Sequence, residues 1–334
     1  MSCLQSKIEA LWYRKNPLVW LLLPLSLLFW AVATLRRTVY RLGLAQAYRA
    51  AVPVIVVGNL SVGGNGKTPV VIWLVEQLRA AGLRPGVVSR GYGGKSERYP
   101  LPVSEHTQAA ECGDEPKLIA ERCQVPVVVA PKRAAAVEML LHSGEVDVVI
   151  CDDGLQHYAL ARDIELVVMD GARRLGNGHL LPMGPLREGR SRLQSVDAVI
   201  CNGGEPQPGE YAMHLAPATL QPVGAASGHP PISGSDVDAL AGIGNPARFF
   251  ATLQQQGFRL ASAVGYADHQ SFDEAELKAR FCERPLLMTE KDAVKCRHFA
   301  LANWWYLPVN AELPPTLATL IINKLKDAKN GTRS

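Results

Sequence analysis

The chain has 334 residues, 48% of them hydrophobic and 20% charged, with a formal net charge of +4. That length accommodates two modest domains, the composition excludes a disordered chain, and so mild a charge speaks against a duplex nucleic-acid binder. The seven cysteines show no C-x-x-C and no paired spacing, which argues against a disulfide framework or a zinc site and for a reducing cytosolic setting.

In chain order, the first element is a greasy segment from Pro17 to Leu35, about 19 residues without a charge and long enough for a membrane helix. Trp12, Tyr13 and Trp20 lie near one end and Trp30 near the other, as interfacial aromatics do. Lys7, Arg14 and Lys15 precede it and Arg36 and Arg37 follow, so charge does not choose an orientation. A full span and a helix lying in one leaflet both remain open.

Val54 to Val57 is an apolar, β-branched run. It leads into Gly58-Asn59-Leu60 and then Ser61-Val62-Gly63-Gly64-Asn65-Gly66-Lys67-Thr68, and a helical pattern follows through Val71, Leu74, Val75 and Leu78. Strand, glycine loop, Lys-Thr and helix form the order of a nucleoside-triphosphate site. Glycines let backbone N–H groups curl round phosphate, and the helix N-terminus adds positive charge. Lys67 would reach the β/γ-phosphates and Thr68 would hold Mg²⁺. Ser61 stands where the motif ordinarily has its first glycine.

Pro85 to Ser89 is a second short strand running into Arg90-Gly91-Tyr92-Gly93-Gly94, a glycine loop expected on the same sheet edge. Residues 95–111 show no period. Asp114, in Gly113-Asp114-Glu115-Pro116, opens a helix; at that position a carboxylate serves as a cap or as a functional group. A third strand spans Val125 to Ala130. Then Val146 to Cys151 ends in Asp152-Asp153-Gly154-Leu155-Gln156-His157. A hydrophobic strand ending in carboxylates is how a phosphate-loop enzyme places its second Mg²⁺-holding group. If the strand continued, the two aspartates would face opposite sides.

Further strands at Ile164–Asp170 and Val196–Cys201 complete the expected doubly wound, mostly parallel α/β sheet. The Pro-, Gly- and Ala-rich residues 207–235 read as a linker. A smaller second βα series follows, with Asp268-His269-Gln270 on a loop. The expected organisation is therefore a membrane helix at 1–40, a phosphate-loop core at 41–206, a linker at 207–235 and a second α/β domain at 236–334.

These motifs together resemble the tetraacyldisaccharide 4′-kinases, the lipid A kinases of Gram-negative bacteria. The resemblance rests on Gly58 through Pro69, Ser89 to Gly93, Gly113 to Pro116, Asp152 to His157, Leu181 to Glu188, Asp268-His269, and Thr289-Glu290-Lys291-Asp292-Ala293-Val294-Lys295. Gln270 departs from the family, which often has histidine there.

The resemblance implies transfer of the ATP γ-phosphate to the 4′-hydroxyl of an acylated glucosamine disaccharide 1-phosphate at the cytoplasmic face of the inner membrane. ATP and Mg²⁺ would be the cofactors, and no nucleic acid or obligate protein partner is implied. It makes Asp114 the base, oriented by His269. Lys67 and a Mg²⁺ held by Thr68 and Asp152 would neutralise the phosphates. Asp153, Gln156 and His157 would line the phosphate or metal shell, Arg90 and Tyr92 would face substrate, and Arg187 with Glu188 would form a closing seam. Because Asp114 and His269 fall in different domains, they would meet only when the cleft closes.

The rival is a membrane-associated phosphate-loop NTPase acting as a switch or scaffold. A guanine-specifying N/T-K-x-D would favour it, but Thr289-Glu290-Lys291-Asp292 sets Lys and Asp side by side.

Overall fold

The protein is described from a computed structural model covering residues 11–13, 16–142, 144–224 and 229–331. Lys7, Arg14, Lys15 and Cys3 lie outside the described residues, as do 225–228 of the expected linker.

A 3₁₀ turn (Pro17–Leu22) runs into helix α1 (Leu23–Arg41). Strand β1 (Val54–Gly58) is buried at every position and forms the middle of a nine-stranded sheet. Its neighbours are β5 (Val148–Asp152) and β6 (Ile164–Asp170), both parallel to it. β2 (Pro85–Ser89), β4 (Val127–Val129) and the short antiparallel β3 (Leu101–Pro102) extend the β5 side. β7 (Ala198–Asn202) extends the β6 side.

A strand buried on both faces needs apolar residues throughout, which is why these runs lack alternation. One face is covered by α2 (Lys67–Ala80) and α4 (Asp114–Cys123), through Val70, Leu74, Leu78 and Ile119. The other is covered by α5 (Arg133–Leu141), through Ala136, Val137 and Leu140. The sheet order reverses at β1, so the crevice for a ligand opens beyond its carboxyl end.

A second, five-stranded sheet carries β11 (Arg259–Gly265), β10 (Asp236–Ala241), β12 (Leu286–Thr289), β13 (Trp304–Leu307) and β9 (Gln221–Pro222), in that order. Only β9 is antiparallel to its neighbour. α6 (Pro246–Gln255) packs Phe249 and Leu253 on one face. On the other, α7 (Glu274–Arg280) and α8 (Glu290–Cys296) contribute Leu277, Ala293 and Cys296 beside Phe281 and Trp304.

Three expectations need correction. Residues 207–235 are more than a linker, because β8 (Glu210–Pro217) continues the first sheet parallel to β7 and β9 belongs to the second. The chain also returns at its end. β14 (Val309–Glu312) pairs with β8, and α9 (Pro315–Gly331) buries Leu317, Ile321 and Leu325 in the first core. A cut at residue 236 therefore does not separate the two sheets. The stretch 95–111 contains β3 and a single turn, α3 (Ala109–Cys112), closed by a capping box between Gln108 and Glu111.

Candidate active site

The loop after β1 is tied down from three sides. Val62 N donates to Pro185 O at 2.9 Å, and Ser61 bridges to Leu186. Asn65 Nδ2 crosses the loop to Ser61 Oγ at 3.1 Å, a hydrogen bond that a glycine at 61 would lack. Arg173 Nη2 donates to Gly64 O at 2.7 Å, and Asn202 Nδ2, from the end of β7, donates to Asn65 O at 3.0 Å. Gly66 precedes α2 with φ of 89°, and a Cβ there would fall 2.3 Å from Asn202 Nδ2. Only glycine satisfies both the left-handed backbone and that approach. The second sheet reaches the loop as well: a Cβ on Gly64 would lie 3.7 Å from Gly244 Cα.

Lys67, the first residue of α2, keeps its side chain 11% exposed with Nζ 3.6 Å from Asp153 Oδ1. Asp152 pairs with Val57 in register, which sets it beside the start of the loop. It is fully buried; Ser89 Oγ donates to Oδ2 at 3.4 Å, while Oδ1 has no hydrogen-bond partner. Burial first, and then Glu115 and Asp153, push its carboxyl up to about 7 against the pull of Lys67 and Arg133. An orphaned hard oxygen beside a phosphate loop fits a Mg²⁺ ligand, since Mg²⁺ is commonly held by one or two carboxylates with phosphates and water completing its shell. Among the described residues no cluster of three or more His, Cys, Asp or Glu offers an all-protein cage.

Asp153 does not continue the strand. Its φ is 48°, so the chain turns there and delivers the carboxylate to Lys67 and to Arg187, whose Nη1 lies at 3.1 Å. Burial works to raise this carboxyl, and Lys67 and Arg187 overcome it to hold it below the ordinary value. Gln156 Nε2 donates to Asn59 O at 3.1 Å and to Glu188 Oε1 at 2.9 Å. Glu188 also accepts from Tyr158 and lies 3.4 Å from Arg192. These partners of Arg187 and Glu188 all belong to the first sheet's side, so the two residues brace the phosphate loop rather than form a seam between the halves. Burial, followed by Arg133, Arg36, Arg162 and Arg90, pulls His157 down to about 4.

The seam lies elsewhere, between α4 and α8. Arg122 pairs with Glu290, Arg297 Nε with Glu121 at 2.8 Å, and Lys291 Nζ with Glu115 at 3.1 Å. Asp114 is the first residue of α4, with Gly113 as the cap and no capping bond from a side chain. The cap alternative therefore lapses. Asp114 Oδ2 lies 3.3 Å from His269 Nδ1 and 3.9 Å from Lys295 Nζ. Both Oδ2 and Nδ1 are buried without an aligned hydrogen bond. His269 has φ of 60°, and Tyr92 packs edge-on against its ring at 4.9 Å. The glycine loop after β2 thus opens onto the site, as its position in the sheet implies, with Tyr92 exposed and Arg90 beside it. The two halves already bring Asp114 to His269, so the conformation described is closed for this pair.

The family model for tetraacyldisaccharide-1-P 4′-kinase, LpxK, matches residues 18–326. The chain belongs to this family. Proteins called tetraacyldisaccharide 4′-kinase from Tolumonas auensis and Aeromonas hydrophila are 60% and 62% identical to it, over 97% and 95% of this chain and 99% and 96% of theirs. Among solved structures, a crystal structure of LpxK from Aquifex aeolicus in complex with ATP superposes with a TM-score of 0.75 at 28% identity, covering 92% of this chain and 99% of that one.

Sequence reasoning passed over Glu115, Lys291 and Asn202 as site residues. Burial works to raise the Glu115 carboxyl, but Lys291 and Lys67 together hold it below the ordinary value. Burial would likewise lower the Lys291 ammonium, and Glu115 and Asp268 more than reverse that. Glu115 was visible as part of the Gly-Asp-Glu-Pro run. Lys291 lies in the Thr289–Lys295 run that carries the resemblance, but its role could not be read there, because its partners are 176 and 23 residues away.

Proposed function

We propose that this protein transfers the γ-phosphate of ATP to the 4′-hydroxyl of a tetraacylated disaccharide 1-phosphate at a membrane surface. The observation that carries the reading is the meeting of Asp114 and His269 across the two sheets, beside a phosphate loop, in a chain of this family. Phosphoryl transfer depends mainly on positioning and charge neutralisation. The backbone of residues 61–68 would cradle the phosphates, and Lys67, steadied by Asp153, would reach the β/γ oxygens. Thr68 and Asp152 would hold Mg²⁺, which when bound neutralises phosphate charge. Asp114 would accept the proton of the attacking hydroxyl, with His269 orienting it. Arg90, Tyr92 and His157 would face the acceptor, while Arg187, Gln156 and Glu188 keep the loop in place. A switch or scaffold has no need of an alcohol base.

The membrane association we propose is in-plane. Pro17–Arg41 is 25 residues long, roughly 37 Å as helix and enough to cross a bilayer. It nevertheless stays on the protein along its length. Trp12 Nε1, just before it, donates to Pro182 O at 2.9 Å, and Ser26 Oγ donates to Leu180 O at 2.9 Å. Trp20 meets His179, and Tyr40 meets Tyr158. Leu21, Leu25, Leu28, Val32 and Leu35 face outward and exposed. A helix docked at both ends and exposing one apolar side suits immersion along one leaflet, at the level where an acylated headgroup sits.

The direct test incubates the full-length protein with ATP, Mg²⁺ and the disaccharide 1-phosphate in detergent. The expected result is ATP-dependent 4′-phosphate product; ATP hydrolysis without product would overturn the reading.

A further inference from the structure

The run Thr289–Lys295 takes no part in the chemistry so far, yet it points at the candidate base pair. Thr289 caps α8, accepting from Asp292 N. One residue into the helix, Lys291 extends into the seam with its side chain 13% exposed. Its Nζ has three neighbours: Asp268 Oδ1 at 3.0 Å, Glu115 Oε1 at 3.1 Å and His269 Nε2 at 3.3 Å. An ammonium has three N–H donors and no lone pair. Two of those donors are matched by carboxylates, and the third meets the imidazole.

We propose that Lys291 is a positioning residue that fixes the tautomer of His269 and so aims Asp114. This rests on the reading of Asp114 as base and His269 as its orienter. A ring nitrogen facing an ammonium must present its lone pair, so Nε2 is bare and the ring proton sits on Nδ1. Nδ1 is the atom that faces Asp114 Oδ2 at 3.3 Å. The two atoms are within reach but not aligned for a hydrogen bond in this conformation. With a small turn of the ring, Nδ1–H would donate to that oxygen and leave the other carboxylate oxygen to take the proton of the acceptor hydroxyl. As that hydroxyl oxygen bonds to the γ-phosphorus, the bond to the ADP oxygen breaks and its electron pair leaves with ADP. The proton goes to Asp114, and Lys291 neither gives nor takes one. The opposite tautomer would put a lone pair against the Asp114 carboxylate and an N–H against the ammonium, two repulsive contacts in place of two attractive ones.

The groups facing His269 from each element are consistent with one orientation. Asp114 and Glu115 come from α4, and Lys291 and Lys295 from α8. Asp268 lies 3.8 Å from Nε2, and the Tyr92 ring lies on the open side. Gly93, with the left-handed φ of 84°, lies against the ring, and a Cβ there would touch it at ordinary contact distance, 3.4 Å from Nδ1. Lys291, Asp268 and His269 all sit on the second sheet's side, contact one another there and face Asp114 and Glu115 across the seam.

The experiment labels histidine with ¹⁵N in the full-length protein and reads the His269 ring nitrogens, assigned by loss in His269→Gln. Lys291→Met and Lys291→Arg are measured alongside for kcat against pH and for ATP affinity. Wild type should show Nδ1 protonated and Nε2 bare. Lys291→Met should lose that preference, lower kcat by about 10²-fold with the ATP KM unchanged, and move the acid limb of kcat to higher pH. Lys291→Arg, which keeps the donors, should recover part of the loss. A protonated Nε2 in wild type, or a Lys291→Met enzyme with wild-type kcat, overturns the proposal, as does a loss confined to KM. If Lys291→Met fails to fold, the wild-type spectrum and Lys291→Arg still decide. Asp114→Asn separates the two readings. Retained activity there would overturn the base assignment, whereas the ring spectrum alone decides what Lys291 does to His269.

Discussion

Gly66→Ala is the sharpest test of how the phosphate loop is built. At φ of 89°, an alanine carries a left-handed backbone cost of about 1–2 kcal/mol. Its Cβ would also lie 2.3 Å from Asn202 Nδ2 and 3.3 Å from Met213 Cε, so Asn202 must move. Moving it breaks the bond donated to Asn65 O at 3.0 Å and the one accepted from Arg248 at 3.2 Å, each contributing about 1 kcal/mol. The matched control is Gly82→Ala, with φ of 78° and nothing within 4 Å of the added carbon. It carries the backbone cost alone, far from the loop. The difference between the variants is about 2 kcal/mol, roughly thirty-fold in ATP affinity if it falls on the nucleotide-binding form. Titrating ATP into each protein, with melting temperatures alongside, reads both effects. Gly66→Ala should lose affinity and Gly82→Ala only stability. Equal ATP affinities in the two would refute the argument.

Arg122→Ala leaves Glu290 in a seam where burial already raises its carboxyl, and the structure should lose about 3 kcal/mol; an unchanged melting temperature would contradict that. His157 is held down to about 4, by burial first and neighbouring arginines second. The unfolded chain therefore binds a proton that the fold resists, and stability falls as pH drops from about 6.5 toward 4. His157→Gln should flatten that part of a melting series relative to wild type. For the in-plane helix, variants retaining only Trp20 or only Trp30 should be quenched by lipid probes at similar shallow depth, and a Trp30 near the bilayer centre would speak for a span.

Much of the site was legible because its signals are local. β1 and β5 are continuous apolar runs ending in chemistry, so both the loop and Asp152 could be placed from order alone. Asp153 was harder: Asp-Gly favours a turn, but the run does not say whether the strand stops at the first aspartate or carries on, and in the fold the second turns out with φ of 48°. β8 escaped notice because most of its residues are only half-buried and its sequence, Glu-Tyr-Ala-Met-His-Leu-Ala-Pro, mixes polar and small residues. The return of β14 and α9 to the first sheet is a long-range choice, decided by Leu317 and Ile321 finding the α2 face, and leaves no mark in the sequence around it. Lys291 is the same lesson at the level of one side chain. A lysine at the start of a short helix looks solvated until Glu115, Asp268 and His269 are brought round it.

The central claim is that Asp114 serves the acceptor and the phosphate loop serves the donor. Asp114→Asn tests it in one sample, with ATP binding and lipid phosphorylation measured together. The account expects ATP to bind as in wild type while 4′-phosphate formation falls by about 10²–10⁴-fold, the range of a lost general base. Product formed at the wild-type rate, or ATP binding lost in step with it, would contradict the account.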